Sequence, residues 1–128
     1  MKILNILVRR YLPLEHFEDA VSFHEKITDK KARKHFDYDE YQLKLAAVSS
    51  ILFIGGTEES LKPFTATNMT FLVEDIHAWE QHLPTIGAHV LEPIKTVPTG
   101  WNMLVRHPDN TLVEYVEHKD KHPEDNVF

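Results

Sequence analysis

The sequence predicts an α+β fold made of two tandem βαβββ modules, and three observations carry that prediction. Its 128 residues suit one domain, or two small halves sharing a core. Short runs of alternating apolar residues are interrupted twice by apolar spacings of three and four. Each half therefore reads strand, helix, strand, strand, strand. A shift of 59 residues pairs Leu12 with Phe71, Leu14 with Val73, Phe17 with Ile76, Ala20 with Trp79 and Ile27 with Ile86. The same shift sets Val21 against Glu80 and His24 against Leu83, so the repeat lies in element order more than in residues.

Taken in order, residues 4–14 are rich in Leu, Val and Tyr and alternate loosely, which predicts a strand ending near Pro13. Phe17, Ala20, Val21, His24 and Ile27 form one helical stripe. Strands are expected at 32–36 and 41–48, around the polar turn 37–40, and at 50–54, closed by Gly55-Gly56. Residues 57–66 read as a linker between module one (1–56) and module two (67–118). In module two, Met69, Phe71 and Val73 alternate with Asn68, Thr70 and Leu72 as a half-buried strand. Asp75 is a helix N-cap candidate, and Ile76, Trp79, Leu83 and Ile86 share the face of the helix that follows. Pro84 should tighten that helix before Gly87. A short strand at 89–91, a loop at 93–100 and strands at 101–106 and 112–117 complete the module. The last two flank the turn His107-Pro108-Asp109-Asn110. From His118 onward the chain is charged and proline-bearing, and residues 119–128 are expected to be a poorly ordered tail.

Composition removes several function classes. With no Cys there is no disulfide framework, thiolate zinc site or cysteine nucleophile. Twenty acidic against 14 basic residues argue against a nucleic-acid footprint, which needs a basic face. No run approaches the roughly 18 apolar residues of a membrane span. Residues 3–8 are too short for a secretory core and run into Arg9-Arg10. A cytoplasmic protein without nucleic-acid or membrane partners is expected.

Two stretches carry a resemblance. Met69-Thr70-Phe71-Leu72-Val73-Glu74-Asp75-Ile76, followed by Gly87-Ala88-His89-Val90, resembles the opening of the second half of a vicinal oxygen chelate domain. The stretch from Gly100-Trp101 through His107-Pro108-Asp109-Asn110 to Glu114 resembles its close: an aromatic strand, an Asp-Pro-Asp-Gly-like turn and a strand ending in Glu. This is the superfamily of glyoxalase I, the bleomycin-resistance proteins, fosfomycin-modifying enzymes and extradiol dioxygenases. The resemblance implies a curved mixed sheet around a cleft shared by the two modules, and a homodimer.

Metal-dependent members hold a divalent ion with a His or Gln and a Glu from one half, and a His and a Glu from the other. The resemblance carries those positions to Asn68 and Glu114 in module two and to Arg9 and Phe53 in module one. A register one residue away would bring Arg10 instead of Arg9. One carboxylate and one amide bind a divalent ion weakly, and a guanidinium repels it. The resemblance thus implies a member without metal or cofactor.

If Arg9 and Asn68 face the cleft, strand alternation adds Tyr11 and Thr70 to it, with Leu12, Leu14, Met69, Phe71 and Val73 under the helices. Glu114 shares its face with Leu112 and Val116, and Trp101 shares a face with Met103, but alternation leaves open which face that is. The expected small-molecule site is Arg9, Tyr11, Phe53, Asn68, Thr70, Trp101 and Met103, with Glu114 the candidate catalytic group. Arg9 and Glu114 either pair with each other, or Arg9 clamps a ligand carboxylate or phosphate while Glu114 accepts from a ligand donor.

None of the nine His makes a better centre. His118 and His122 would form a metal pair only if helical, and they lie in the charged tail. His24 sits on the apolar stripe, His77 and His82 on the outer helix, and His107 in a turn. Three functions stay open: a metal-free binding module, an enzyme, and an interaction partner with a vestigial cleft. The enzyme would be of lyase, isomerase or dioxygenase type, with rearranged metal ligands or Glu114 as general base.

Overall fold

All 128 residues are described in the computed structural model. The fold is α+β, and each module has the order βαβββ. Two compact units form: Val8–Ala66, and Met1–Leu7 together with Thr67–Phe128. Strand β1 (Lys2–Pro13) contributes its first half to one unit and its second half to the other.

In the unit Val8–Ala66, β1 leads into helix α1 (Leu14–Thr28), then β2 (Arg33–Tyr38), β3 (Leu43–Val48), β4 (Ile51–Gly56) and the short helix α2 (Glu58–Leu61). The strand order is β2-β3-β4-β1. The outer pairs are antiparallel, and β1 runs parallel to β4 with Val8 beside Ile51 and Leu12 beside Gly55. Pro13 ends β1 because it lacks an N–H for the ladder, and its φ of −59° starts the helix. Phe17 and Val21 are buried with Leu12, Ala46, Val48 and Phe53, and the His24 ring meets Phe53 edge-on at 4.8 Å. Ile27, expected on the same stripe, is 62% exposed. An α-helix turns about 100° per residue, so His24 returns to about 20° from Phe17 while Ile27 lies about 80° away. Gly55 has a packing reason: a Cβ there would lie 2.7 Å from Phe17 Cδ1.

In the other unit the order is β1-β5-β8-β7-β6. Its strands are β5 (Met69–Glu74), β6 (His89–Val97), β7 (Gly100–Arg106) and β8 (Leu112–His118), with helix α3 (Ile76–His82) between β5 and β6. Strands β5 and β8 are parallel, and β8, β7 and β6 are antiparallel. Asp75 caps α3 through Oδ1, which accepts the Ala78 N–H at 3.3 Å, and Glu117 Oε1 accepts that of Ile76 at 3.0 Å. The helix tightens to a 3-10 turn over Leu83–Ile86, as Pro84 predicts, and Gly87 stops it at φ 99°. Ile86 is exposed rather than packed on the shared face. The core gathers Val73, Ile76, Leu83, Met103, Val105, Val113 and Tyr115.

Two expectations are corrected here. The stretch 93–97 continues β6 instead of forming a loop, with register shifts on either side of Glu92. Strand β6 lies at the sheet edge, where a proline without a ladder donor is tolerated. The charged C-terminal stretch is not loose either. A 3-10 turn at Pro123–Asp125 buries Asp125, whose Oδ2 accepts from His122 N–H at 3.2 Å, and the Val127 N–H donates to the Leu4 carbonyl at 2.8 Å.

His107 Nε2 and the Tyr115 hydroxyl are hydrogen-bonded at 2.8 Å, beside Phe71. Burial lowers the His107 pKa below its ordinary 6.5, against a smaller opposing pull from Asp109. Burial also pushes Tyr115 up to about 12.

Two tests follow from this packing. Gly55→Ala should lower stability by about 1–3 kcal/mol through overpacking against Phe17; an unchanged urea midpoint would count against the contact. For His107 the folded state binds the proton less tightly than the unfolded chain. Its contribution is therefore present above pH 6.5 and lost as pH falls through the lowered folded value. Urea midpoints measured from about pH 8 to 5 should fall less steeply in His107→Gln than in the wild type. Superimposable profiles would remove His107 as a cause.

Candidate functional site

Partners in register share a face, so the sheets sort their own side chains. In the unit Val8–Ala66, Leu12, Phe53 and Ala46 lie under α1. The opposite face therefore carries Arg9 and Tyr11 from β1 and Leu45 from β3, all part-buried, with Leu52 and Ile54 from β4 and Ala47 from β3, all buried. Arg9 Nη1 donates to the Tyr11 hydroxyl at 2.9 Å, and that hydroxyl donates to the Phe64 carbonyl at 2.6 Å. The phenol thus ties a cation on the strand to the segment after α2. Arg10 falls on the other face, which decides between the two arginines.

In the other unit Met69, Phe71, Val73, Met103, Val105, Val113 and Tyr115 pack toward α3. The opposite face then holds Thr70 and Leu72 from β5, Asn102 and Leu104 from β7, and Leu112, Glu114 and Val116 from β8, of which Thr70, Leu72 and Val116 are buried. Glu114 stands in register between Thr70 and Leu104. Its Oε2 accepts from Asn102 Nδ2 at 3.2 Å. Thr70 is buried, whereas Asn68 precedes β5 and is exposed, its backbone N–H donating to the Leu112 carbonyl at 3.0 Å.

The structure thus brings Arg9 to Tyr11 and Thr70 to Glu114, on separate units. It moves three expected ligand contacts elsewhere. Phe53 is 1% exposed beneath α1, Met103 is 1% exposed in the other core, and Trp101 packs half-buried against that same core. For Phe53 the cause is register. Tyr11 pairs with Ile54 as Thr70 pairs with Glu114, so the counterpart of Glu114 is Ile54, one residue beyond Phe53. Asn102 was missed. The signal was present, since once Trp101 and Met103 face the core, the residue between them faces away from it.

No family model and no curated protein matches this sequence. Among solved structures, an uncharacterized protein from Methanosarcina mazei matches with a TM-score of 0.81 and 38% identity, over 95% of this chain and 98% of that one. A methylmalonyl-CoA epimerase from Mycobacterium tuberculosis matches with a TM-score of 0.67 and 14% identity, over 92% of this chain and 90% of its own. A Streptomyces coelicolor methylmalonyl-CoA epimerase variant, in complex with 2-nitronate-propionyl-CoA, matches with a TM-score of 0.66 and 13% identity, over 93% of this chain and all of its own. The chain thus shares the fold of these methylmalonyl-CoA epimerases, the fold that the resemblance implies.

The divalent-ion site that the resemblance implies does not fit the residues present. The face of the first unit carries the Arg9 guanidinium with Leu52 and Ile54 beside it. That of the other offers Glu114, already accepting from an amide, and Glu92 on the edge strand, with Lys95 on the same face. Nowhere do three or more His, Asp or Glu gather as a metal set.

Tyr11→Phe tests the phenol bridge. Removing the hydroxyl that donates to Phe64 should cost about 1 kcal/mol and speed amide exchange around residues 64–66. An unaltered urea midpoint together with unaltered exchange would show that the bridge holds nothing in solution.

Proposed function

We propose that this protein binds a small organic ligand without a resident metal ion, using the sheet faces turned away from the helices. The observation that carries the reading is the donor set. On those faces Arg9 bonds to Tyr11 and Glu114 to Asn102, set among Leu, Ile and Val, with Arg33 in register on the first face and Glu92 and Lys95 on the second. Polar and charged groups placed on an apolar wall suit orientation of an organic molecule. A guanidinium suits a ligand carboxylate or phosphate. Arg9, Tyr11, Asn68, Asn102 and Glu114 are the ligand-contacting residues in this reading, while Thr70, in register with Glu114, is buried. The proposal includes a homodimer and a cytoplasmic setting, and no helix of the chain is long and apolar enough to cross a membrane.

A second reading is proton transfer with Glu114 as general base. Its support is the Asn102 hydrogen bond that orients the carboxylate, together with the fold likeness to epimerases, one of them bound to an acyl-CoA analogue. Such a base would act on an acidic C–H next to a thioester or carboxylate.

A thermal-shift panel of carboxylates, acyl thioesters and antibiotics should contain at least one stabilising ligand, whose shift disappears in Arg9→Ala. The same shift in that variant would overturn the role of Arg9. The purified protein should hold less than stoichiometric metal, and Ni, Zn, Mn or Fe(II) should leave its Tm unchanged; a tightly held equivalent would overturn the metal-free reading. If the second reading holds, deuterium from solvent enters the bound ligand's acidic C–H and does so no longer in Glu114→Gln. Exchange surviving in that variant would exclude Glu114 as the base.

A further inference from the structure

A separate concavity lies entirely within the unit Val8–Ala66. It encloses about 300 Å³, with Tyr41 and Phe64 as aromatic walls, Glu40 and Glu59 as carboxylates, and Ser60 and Pro63 completing the side formed by α2 and the segment after it. That volume admits a small organic molecule. We infer that this pocket is a binding site for a small organic ammonium ion.

The walls are built, not incidental. The Tyr41 and Phe64 rings meet at 73° with centroids 5.3 Å apart, and Tyr38 backs Tyr41 at 4.9 Å. The Phe64 backbone is anchored, since its carbonyl accepts from the Tyr11 hydroxyl at 2.6 Å and its N–H donates to the Leu61 carbonyl at 2.9 Å. A reciprocal cap holds α2. Thr57 N–H donates to Ser60 Oγ at 2.9 Å and Ser60 N–H donates to Thr57 Oγ1 at 3.0 Å. That cap fixes the short helix on which Glu59 stands. On the opposite side Gln42 adopts a left-handed conformation, φ 57°, with its N–H on the Asp39 carbonyl at 3.1 Å, and so fixes the turn that carries Glu40 and Tyr41.

The lining selects one ligand class. No Lys, Arg or His lines the pocket, and two carboxylates do, so anions are repelled. A hydrated inorganic cation gains little from aromatic walls. A neutral apolar molecule would use the rings and leave the carboxylates idle. A methylated or alkyl ammonium, weakly hydrated and positive, uses both at once, through cation–π attraction and long-range charge.

The test uses the full chain, isotope-labelled for amide NMR and titrated with choline chloride. The controls are sodium chloride at equal ionic strength and 3,3-dimethylbutan-1-ol, the uncharged carbon analogue of choline. Saturable shifts at Gln42, Ser60 and Phe64 are expected, with Kd on the order of 1–10 mM for an exposed cation–π site. The alcohol should bind about tenfold or more weakly. Glu59→Gln, an exposed change that leaves the fold alone, should weaken choline roughly threefold, and Tyr41→Leu by more. Equal binding of the alcohol, titration curves unmoved by Glu59→Gln, or no saturable shift by about 100 mM would each overturn the inference.

Discussion

The parallel pairing of the first and last strand of each module, β1 with β4 and β5 with β8, is the constraint on which the rest of the molecule depends. A parallel pair needs a long crossover between its members, and α1 and α3 lie within those crossovers. With a helix on one side, the two-residue period of the strands assigns every side chain to a core or to an open face. Leu12 and Phe53 go under α1 and leave Arg9, Tyr11, Leu52 and Ile54 outside; Phe71 and Tyr115 go toward α3 and leave Thr70 and Glu114 outside. Close packing of helix on strand then sets its own demand, met at Gly55, where Phe17 occupies the space of a side chain.

The chemistry of the faces turned away from the helices follows from that assignment and not from the fold's likeness to other proteins. Those faces carry the Arg9 guanidinium bonded to Tyr11 and the Glu114 carboxylate bonded to Asn102. Fold alone does not settle function, and the 38% identical relative from Methanosarcina mazei is itself uncharacterized. The weight therefore rests on Arg9, Tyr11, Asn102 and Glu114. A net charge of −6 does not oppose an acidic ligand, because the charge nearest Tyr11 on its strand face is the Arg9 cation.

Much of the fold was legible in local signals. Asp75 is the cap its residue type predicts, Pro84 tightens α3 into a 3-10 turn, and the alternation of Met69, Phe71 and Val73 marks the helix-facing side of β5. What misled was equally specific. Pro93 reads as a loop residue, yet an edge strand tolerates it. The terminal charges read as a solvated tail, yet Asp125 finds a buried hydrogen-bonded seat. The positions of Arg9 and Glu114 come from the resemblance, and strand alternation adds Tyr11 and Thr70 to their faces. Phe53 was one residue out, and Trp101 with Met103 carried no mark of which side they take.

By itself, then, the sequence determined the α+β class and the doubled βαβββ order. These follow from residue type and from periodicities that act over a few positions along one chain segment. Only the tertiary structure decided that Ile54 and not Phe53 stands opposite Tyr11, that Asn102 holds Glu114, and that Tyr41 and Phe64 pack edge to face in the lining of one pocket. Those facts depend on which strand pairs with which and in what register. A slip of a single residue carries a side chain from one face of a sheet to the other.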